Sequence, residues 1–409
     1  MNKKINVWTA ITLCVIVSVI TYIFASSTLR NSYNEKIDDA YASLAPFNKL
    51  FEIDNYVKKN FVGTVDQENV IKGLLYGYFA GLGDPFSTYH TKEEMEEMNM
   101  ANNGKLVGIG VLISKEYEHS YSYIRRVMPG SPAENAGLKN GDIITEINGI
   151  KLNDENYKQT LDLVPGEIGT KVKLAILRDG TNMNFEVERQ SVRSTMVYTD
   201  YLEGNIAYIY VAEFSGNVAA DFIAAVKEAQ QKNVAGYIFD MRNNPGGDLD
   251  VICTILDYLL PKGPIVRVKD AKGNIVFTKD SGESCVNAPM TVLTNENTAS
   301  AAELFTSALR DYHKATIIGT KTFGKGSMQH IVPLNDGSGI RLSVYYYDPP
   351  YGDNYNGIGI TPDKVIEQNE YYNNHQYLLN ESNDVQIKAA KEALNEITEN
   401  SQSVESKAA

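Results

Sequence analysis

The chain has 409 residues, 43% hydrophobic and 22% charged, the composition of a globular protein with room for two or three domains. A formal net charge of -13, without any long run of lysine and arginine, excludes the basic face that a nucleic-acid partner needs. The five histidines are scattered and no Cys-x-x-Cys occurs, so no metal and no cofactor are expected.

In chain order, the first feature is an uncharged run from Ile5 to Ala25, preceded by Lys3 and Lys4. Its length suits a bilayer-crossing helix, and the lysines place its start in the cytoplasm. The expectation is a signal anchor over residues 1–30, single-pass in the cell membrane, with the rest extracytoplasmic. A cleaved signal peptide ending near Ala25-Ser26-Ser27 is the alternative. Cys14 lies in this run; Cys253 and Cys285 either pair or stand as separate thiols, and their spacing leaves both open.

Residues 31–102 carry apolar side chains at three- and four-residue spacings and read as helical. The stretch "GDPFSTYHT" interrupts them, and Thr91 with Glu94 forms a capping box for the helix that follows. Residues 103–190 change period. Strand-like "LVGIGVLIS", "YSYIRRV" and hairpins at Asn148-Gly149 and Asp179-Gly180 enclose two short helices, giving a compact α+β module. From 191 to 370 strands and helices alternate, which implies a partly parallel, buried sheet. The last segment, 371–409, reads as a polar helix and then an unstructured tail.

Three loops could carry chemistry. "TNENTAS" sets Ser300 at a helix N-terminus, where free N–H groups and the helix dipole would stabilise a developing negative charge; the plain alternative is a helix cap. "DMRNNPGGDL" offers N–H donors at consecutive glycines, or only a tight connection. "GTKTFGKGSMQ" comes within one residue of a phosphate-binding loop, but Gly326 stands where Ser or Thr would hold magnesium. A lysine between two glycines and beside Phe323 and Met328 is instead suited to desolvation. Desolvation can lower a lysine pKa by up to about 3–5 units, enough for a base. Gln329 could fix that amine without adding a counter-charge; a surface lysine is the bland reading.

Taken together, "DMRNNPGG" (240–247), "NENTASAAE" (295–303), "GTKTFGKGSMQ" (319–329) and "NGIGITPD" (356–363) resemble the carboxyl-terminal processing peptidases, or tail-specific proteases. The resemblance runs from about residue 45 to 390. It implies that Ser300 is the nucleophile, Lys325 the general base and Gln329 its orienting residue. It also implies an oxyanion hole from the N–H of Ala301 and of Gly246 or Gly247. Residues 107–112 and "GSPAENAGLKNGDIITEING" are similar to a PDZ domain, which implies that Gly108, Ile109, Gly110 and Val111 bind a substrate's free, apolar C-terminus. Thr298, Ala302 and Met241 depart mildly from the family pattern, and "YYYDPPYGDNY" departs more.

The fold expected is mixed α/β. A β/α protease core carries an inserted PDZ-like α+β domain and helical N- and C-terminal segments, preceded by one transmembrane helix. The function expected is a membrane-anchored extracytoplasmic serine endopeptidase that recognises C-terminal tails and cuts with a Ser/Lys dyad. By analogy with the family it could form a homodimer. The alternative from another class is a catalytically silent PDZ scaffold on the same fold.

Overall fold

The computed structural model describes residue 12 and residues 16–28, 47–102, 105–115, 121–193, 196–374 and 379–408. The chain divides into two compact units, Met1–Tyr78 and Phe79–Ala409. The first holds helix α1 (residues 16–28), α2 (Asn48–Asn60) and most of α3 (Gln67–Ala80).

The expected transmembrane helix is corrected here. Among the described residues no helix is long and apolar enough to cross a membrane. In α1 the Thr21, Ser26 and Thr28 hydroxyls bond back to the helix carbonyls. Residues 1–11, 13–15 and 29–46 lie outside the described residues, and with them Cys14 and the start of the helical region.

In the second unit, a loop leads from α3 to the short strand β1 (Thr88–His90) and helix α4 (Lys92–Asn102). Thr91 and Glu94 form the reciprocal cap at the start of α4.

The α+β module follows. After β2 (Lys105–Gly108), the strands β3 (Val111–Lys115), β4 (Ser122–Val127), β5 (Ile143–Ile147), β6 (Ile150–Lys151), β7 (Lys171–Arg178) and β8 (Thr181–Glu188) build one antiparallel sheet. Helices α5 (Pro132–Ala136) and α6 (Tyr157–Leu161) close it. The core is Ile109, Ile124, Ile144, Ile147, Leu174 and Ile176, all almost wholly buried. Strand β3 is at the sheet's edge, paired only with β4. Strand β9 (Gln190–Arg193) returns along β2, so a two-stranded ribbon joins the module to the rest.

The second half opens with β10 (Val197–Leu202) and β11 (Ile206–Val211). Helix α7 (Val218–Gln231), β12 (Gly236–Asp240), α8 (Leu249–Leu259) and the hairpin β13 (Gly263–Lys269) and β14 (Ile275–Ser281) follow. Then come β15 (Met290–Thr294), α9 (Ala301–Asp311), β16 (Ala315–Gly319), β17 (Ser327–Pro333), β18 (Gly339–Asp348), β19 (Lys364–Val365), α10 (Glu370–Asn374) and α11 (Val385–Ala408). The main sheet runs β10-β11-β12-β15-β16-β19, parallel from β11 onward. Every residue of β11, β12 and β15 is buried, because helices cover both faces. On one face α7, α8 and α9 meet around Phe214, Phe222, Phe239 and Phe305. On the other, Ile387, Ala390, Ala393 and Leu394 of α11 cover Ile238, Leu293 and Ile318. That apolar stripe anchors α11, which continues as helix to Ala408 where an unstructured tail was expected.

A second sheet, ordered β1-β18-β13-β14 with β17 on β18, forms one wall of the cleft described next. Cys253 and Cys285 are both free thiols, the first buried, and burial pushes its pKa up to about 12.

Candidate active site

The main sheet delivers two loops from the C-terminal ends of β12 and β15, where open α/β sheets place their sites. They are fastened to each other. Thr298 Oγ1 donates to the Met241 carbonyl at 2.8 Å, the Ala299 N–H donates to the Asn244 carbonyl at 2.9 Å, and the Asn243 N–H donates to Asn295 Oδ1 at 2.9 Å. Threonine at 298 therefore supplies the hydroxyl the loop needs. Ser300 ends this loop with φ +55°, a left-handed conformation that is costly for a residue with a Cβ, and α9 begins at the next residue. Its Oγ stands 3.5 Å from the Tyr347 hydroxyl.

The glycines of the other loop differ in what they offer. The Gly246 N–H is taken by Asn244 Oδ1 at 2.8 Å. Gly247 forms a parallel bridge with Phe214 through its neighbours, Phe214 N–H to the Gly246 carbonyl and Asp248 N–H to the Phe214 carbonyl. Among the described residues no hydrogen bond occupies the N–H of Gly247 or of Ala301. Neither glycine tolerates a side chain. A Cβ on Gly246 would lie 2.6 Å from Ser300 Cβ, and one on Gly247 would lie 2.1 Å from the Phe214 oxygen.

Lys325 comes from the loop between β16 and β17. Gly324 has φ +91° and abuts the backbone of Gly359, while Gly326 abuts the Asn354 side chain. The likeness to a phosphate loop thus follows from close packing against residues 354–359. Burial, the largest cause, and the Arg341 charge hold the Lys325 amine below its ordinary pKa, with Asp84 and Glu303 pulling the other way. Its Nζ makes no hydrogen bond or ion pair among the described residues and sits 4.4 Å over the Phe86 ring.

Ser300, Lys325, Gln329, Gly247 and Ala301 line one cleft of about 870 Å3, whose apolar wall includes Phe277, Leu304, Met328 and Ile331. Gln329 does not reach the amine. Its Nε2 donates to Ser343 Oγ at 2.9 Å and Ser327 Oγ at 3.2 Å, because β17 pairs with β18 and turns the amide toward that strand.

Two contributors escaped the sequence. Glu303, fully buried on α9, accepts the N–H of Ser300 (2.9 Å), Gly324 (2.7 Å) and Lys325 (2.7 Å) and the Thr322 hydroxyl (2.5 Å). Burial raises its pKa against the pull of these donors. A glutamate three residues after Ser300, on the helix's buried face, was the available signal. Tyr347, from the divergent "YYYDPPYGDNY" stretch, donates to the Lys325 carbonyl at 2.7 Å, and nothing in its spacing announced that contact.

In the α+β module, Gly108, Ile109, Gly110 and Val111 line an apolar cavity of about 150 Å3 with Met128, Val164 and Val192. Gly110 has φ +80°, which ends β2 and lets β3 start in a new direction. The Ile109 and Gly110 N–H groups carry no hydrogen bond among the described residues, and edge strand β3 begins beside them. The module rests on the main sheet through Arg125, which stacks on Tyr210 at 4.4 Å, and Arg126, 5.7 Å from the Tyr198 ring.

The model of peptidase family S41 matches residues 205–366, and a PDZ-domain model matches residues 123–178. The chain is 34% identical over 369 residues to the carboxy-terminal-processing protease of Bartonella bacilliformis, covering 87% of this chain and 82% of that one. This chain belongs to peptidase family S41. It is also 32% identical over 327 residues to the carboxy-terminal processing protease CtpA of Bacillus subtilis, covering 80% and 70% of the two chains. Among solved structures, the photosystem II D1 C-terminal processing protease matches with a TM-score of 0.50 at 28% identity, over 78% of this chain and 86% of that one. As an S41 peptidase with a PDZ domain, the protein is a serine-type peptide-bond hydrolase.

Proposed function

We propose that the protein is an endopeptidase that captures substrate C-terminal tails in its PDZ domain and cleaves with a Ser300–Lys325 dyad. The observation that carries this reading is that Ser300, Lys325 and two unoccupied N–H donors, of Gly247 and Ala301, line one cleft. Neutral Lys325 takes the Ser300 proton as Oγ bonds to the scissile carbonyl carbon. The carbonyl oxygen becomes an oxyanion between the Gly247 and Ala301 N–H groups. The ammonium returns its proton to the leaving amine, and the acyl-serine is then hydrolysed by water with Lys325 again as base. No hydrogen bond joins Ser300 Oγ and Lys325 Nζ in this structure, where the amine lies on Phe86, so side-chain rotation must bring them together. The tail would enter as a strand along β3, its carboxylate at Ile109 and Gly110 and its last side chain in the apolar cavity. Action outside the cytoplasm is inferred only from the leader-like first 25 residues; attachment through a membrane-spanning helix forms no part of the proposal.

The test compares the full-length chain with Ser300→Ala and Lys325→Ala on an unfolded protein that ends in apolar residues. Cleavage by the parent and none by either variant supports the dyad. Cleavage surviving in both variants overturns it.

A further inference from the structure

Phe86 reaches the Lys325 amine from outside the core that carries the rest of the site. It sits in the break between α3 and β1, and that break is held rigidly. The Asp84 carboxylate accepts the Ser87 hydroxyl (2.5 Å) and the Phe86 N–H (3.1 Å). Ser87 Oγ accepts the Ser343 N–H at 3.0 Å, Arg341 Nε donates to the Phe86 carbonyl at 3.2 Å, and β1 then pairs with β18. These contacts fix the main chain at Phe86, whose ring presents its face to Lys325 Nζ at 4.4 Å and lies 6.1 Å from the Phe323 ring at 65°.

This arrangement has two physical effects of opposite sign on the amine. The ring excludes water, which disfavours an ammonium, and its electron-rich face attracts one. A lysine that serves as a base needs both. It must be neutral before the reaction and must carry a charge, without help from water, once the serine proton has been transferred. The charged groups facing the amine are Asp84 and Arg341 from the wall beside Phe86 and Glu303 from α9. None is hydrogen-bonded to it, and the Phe86 ring lies against it at 4.4 Å.

We propose that Phe86 is a positioning residue for Lys325, whose face receives the ammonium formed on proton transfer while its bulk keeps the amine dry. This rests on the reading of Lys325 as the general base. The bonds made and broken are those of that reaction: the proton passes from Ser300 Oγ to Lys325 Nζ, and the ring only holds the charge there.

The experiment measures kcat/KM from pH 5 to 10 for the full-length chain, Phe86→Leu and Phe86→Ala, using a peptide with a free apolar C-terminus. Thermal unfolding shows that each variant is folded. Leucine keeps the apolar cover but has no ring face. It should lower kcat by roughly 3- to 30-fold and move the acid limb to lower pH. Alanine admits water, which solvates the ammonium, and should move that limb to higher pH. Displacements in opposite directions support the proposal. A limb that stays put in both variants, or moves the same way in both, overturns it. Lys325→Ala is assayed alongside. If it retains activity, the dyad itself fails and Phe86 with it; if it is dead while the limb stays put, only the role of Phe86 fails.

Discussion

Glu303 and Lys325 meet through the main chain: one oxygen of the Glu303 carboxylate accepts the Lys325 N–H at 2.7 Å and the Ser300 N–H at 2.9 Å. A single buried acid thus sets the separation of the two loops that bear Ser300 and Lys325, the proposed nucleophile and base. Glu303→Gln keeps the shape but turns an NH2 group toward existing donors. Each donor left without an acceptor costs about 1–3 kcal/mol, and a shift between the loops should lower kcat by about 10²-fold. Urea unfolding and steady-state kinetics read the two effects separately.

Gly247→Ala tests the oxyanion assignment. The new Cβ would collide with the Phe214 oxygen, so the loop must move and carry the Gly247 N–H away. The expected result is a fall in kcat of roughly 10²–10³-fold with little change in KM, measured on a short peptide.

Lys325 makes a prediction about stability as well as rate. Its pKa in the folded protein lies below 10.5, chiefly through burial, so the unfolded chain holds the proton more tightly. Folding therefore bears a cost at neutral pH that fades as pH rises through 10.5. Lys325→Met should be inactive yet more resistant to urea than the parent at pH 7. That advantage should vanish near pH 11 if the amine is its source.

How much of this was legible beforehand follows the strength of local pattern. The parallel strands showed as unbroken apolar runs such as "IAYIYV", and α7 as an amphipathic repeat, because burial on both faces or on one leaves a distinct signature. The loops of the candidate site showed because glycine spacing is dictated by close backbone approach, as at Gly246 and Gly324. The second sheet did not show. Strand β14 is mostly exposed and β17 exposes four of its last residues in a row, so neither alternates between inside and out. Nor did the partners of Lys325. Phe86 and Tyr347 arrive from elements more than twenty residues away on either side, and spacing within a motif carries no record of them. The apolar run near the N-terminus misled in the other direction, since among the described residues no helix is long and apolar enough to cross a membrane.

At the start of the loop that carries Gly246 and Gly247, Arg242 donates to Asp240 at 2.6 Å, to Asp384 at 2.8 Å and to Gln386 at 2.9 Å, all buried. Arg242→Met should destabilise by about 3–5 kcal/mol by leaving two buried carboxylates without their shared cation. Burial alone would raise the Asp240 pKa, but Arg242 and the Tyr208 hydroxyl hold it below 3.8. The stability this supplies is full above pH 3.8 and is lost as pH falls below it. Urea midpoints at pH 5 and pH 3 should differ for the parent and much less for Arg242→Met.

Gly110→Val addresses tail recognition. With φ +80° and a Cβ 2.3 Å from that of Ser131, the turn into β3 cannot keep its shape. KM for a substrate with a free apolar tail should rise about tenfold or more, while kcat on saturating short peptide changes little. Equal losses in both would mean that the turn supports the core rather than the tail.

The left-handed backbone at Ser300 carries one more consequence. Hydroxyl chemistry alone would permit either serine or threonine at this position, but a branched β-carbon fits that conformation poorly. Ser300→Thr should therefore fail through its main chain, with the α9 N-terminus displaced. Unbranched Ser300→Cys should keep the turn and change only the attacking atom. Which amino acids can serve as the nucleophile is thus decided by the torsion of the peptide chain before reactivity is considered.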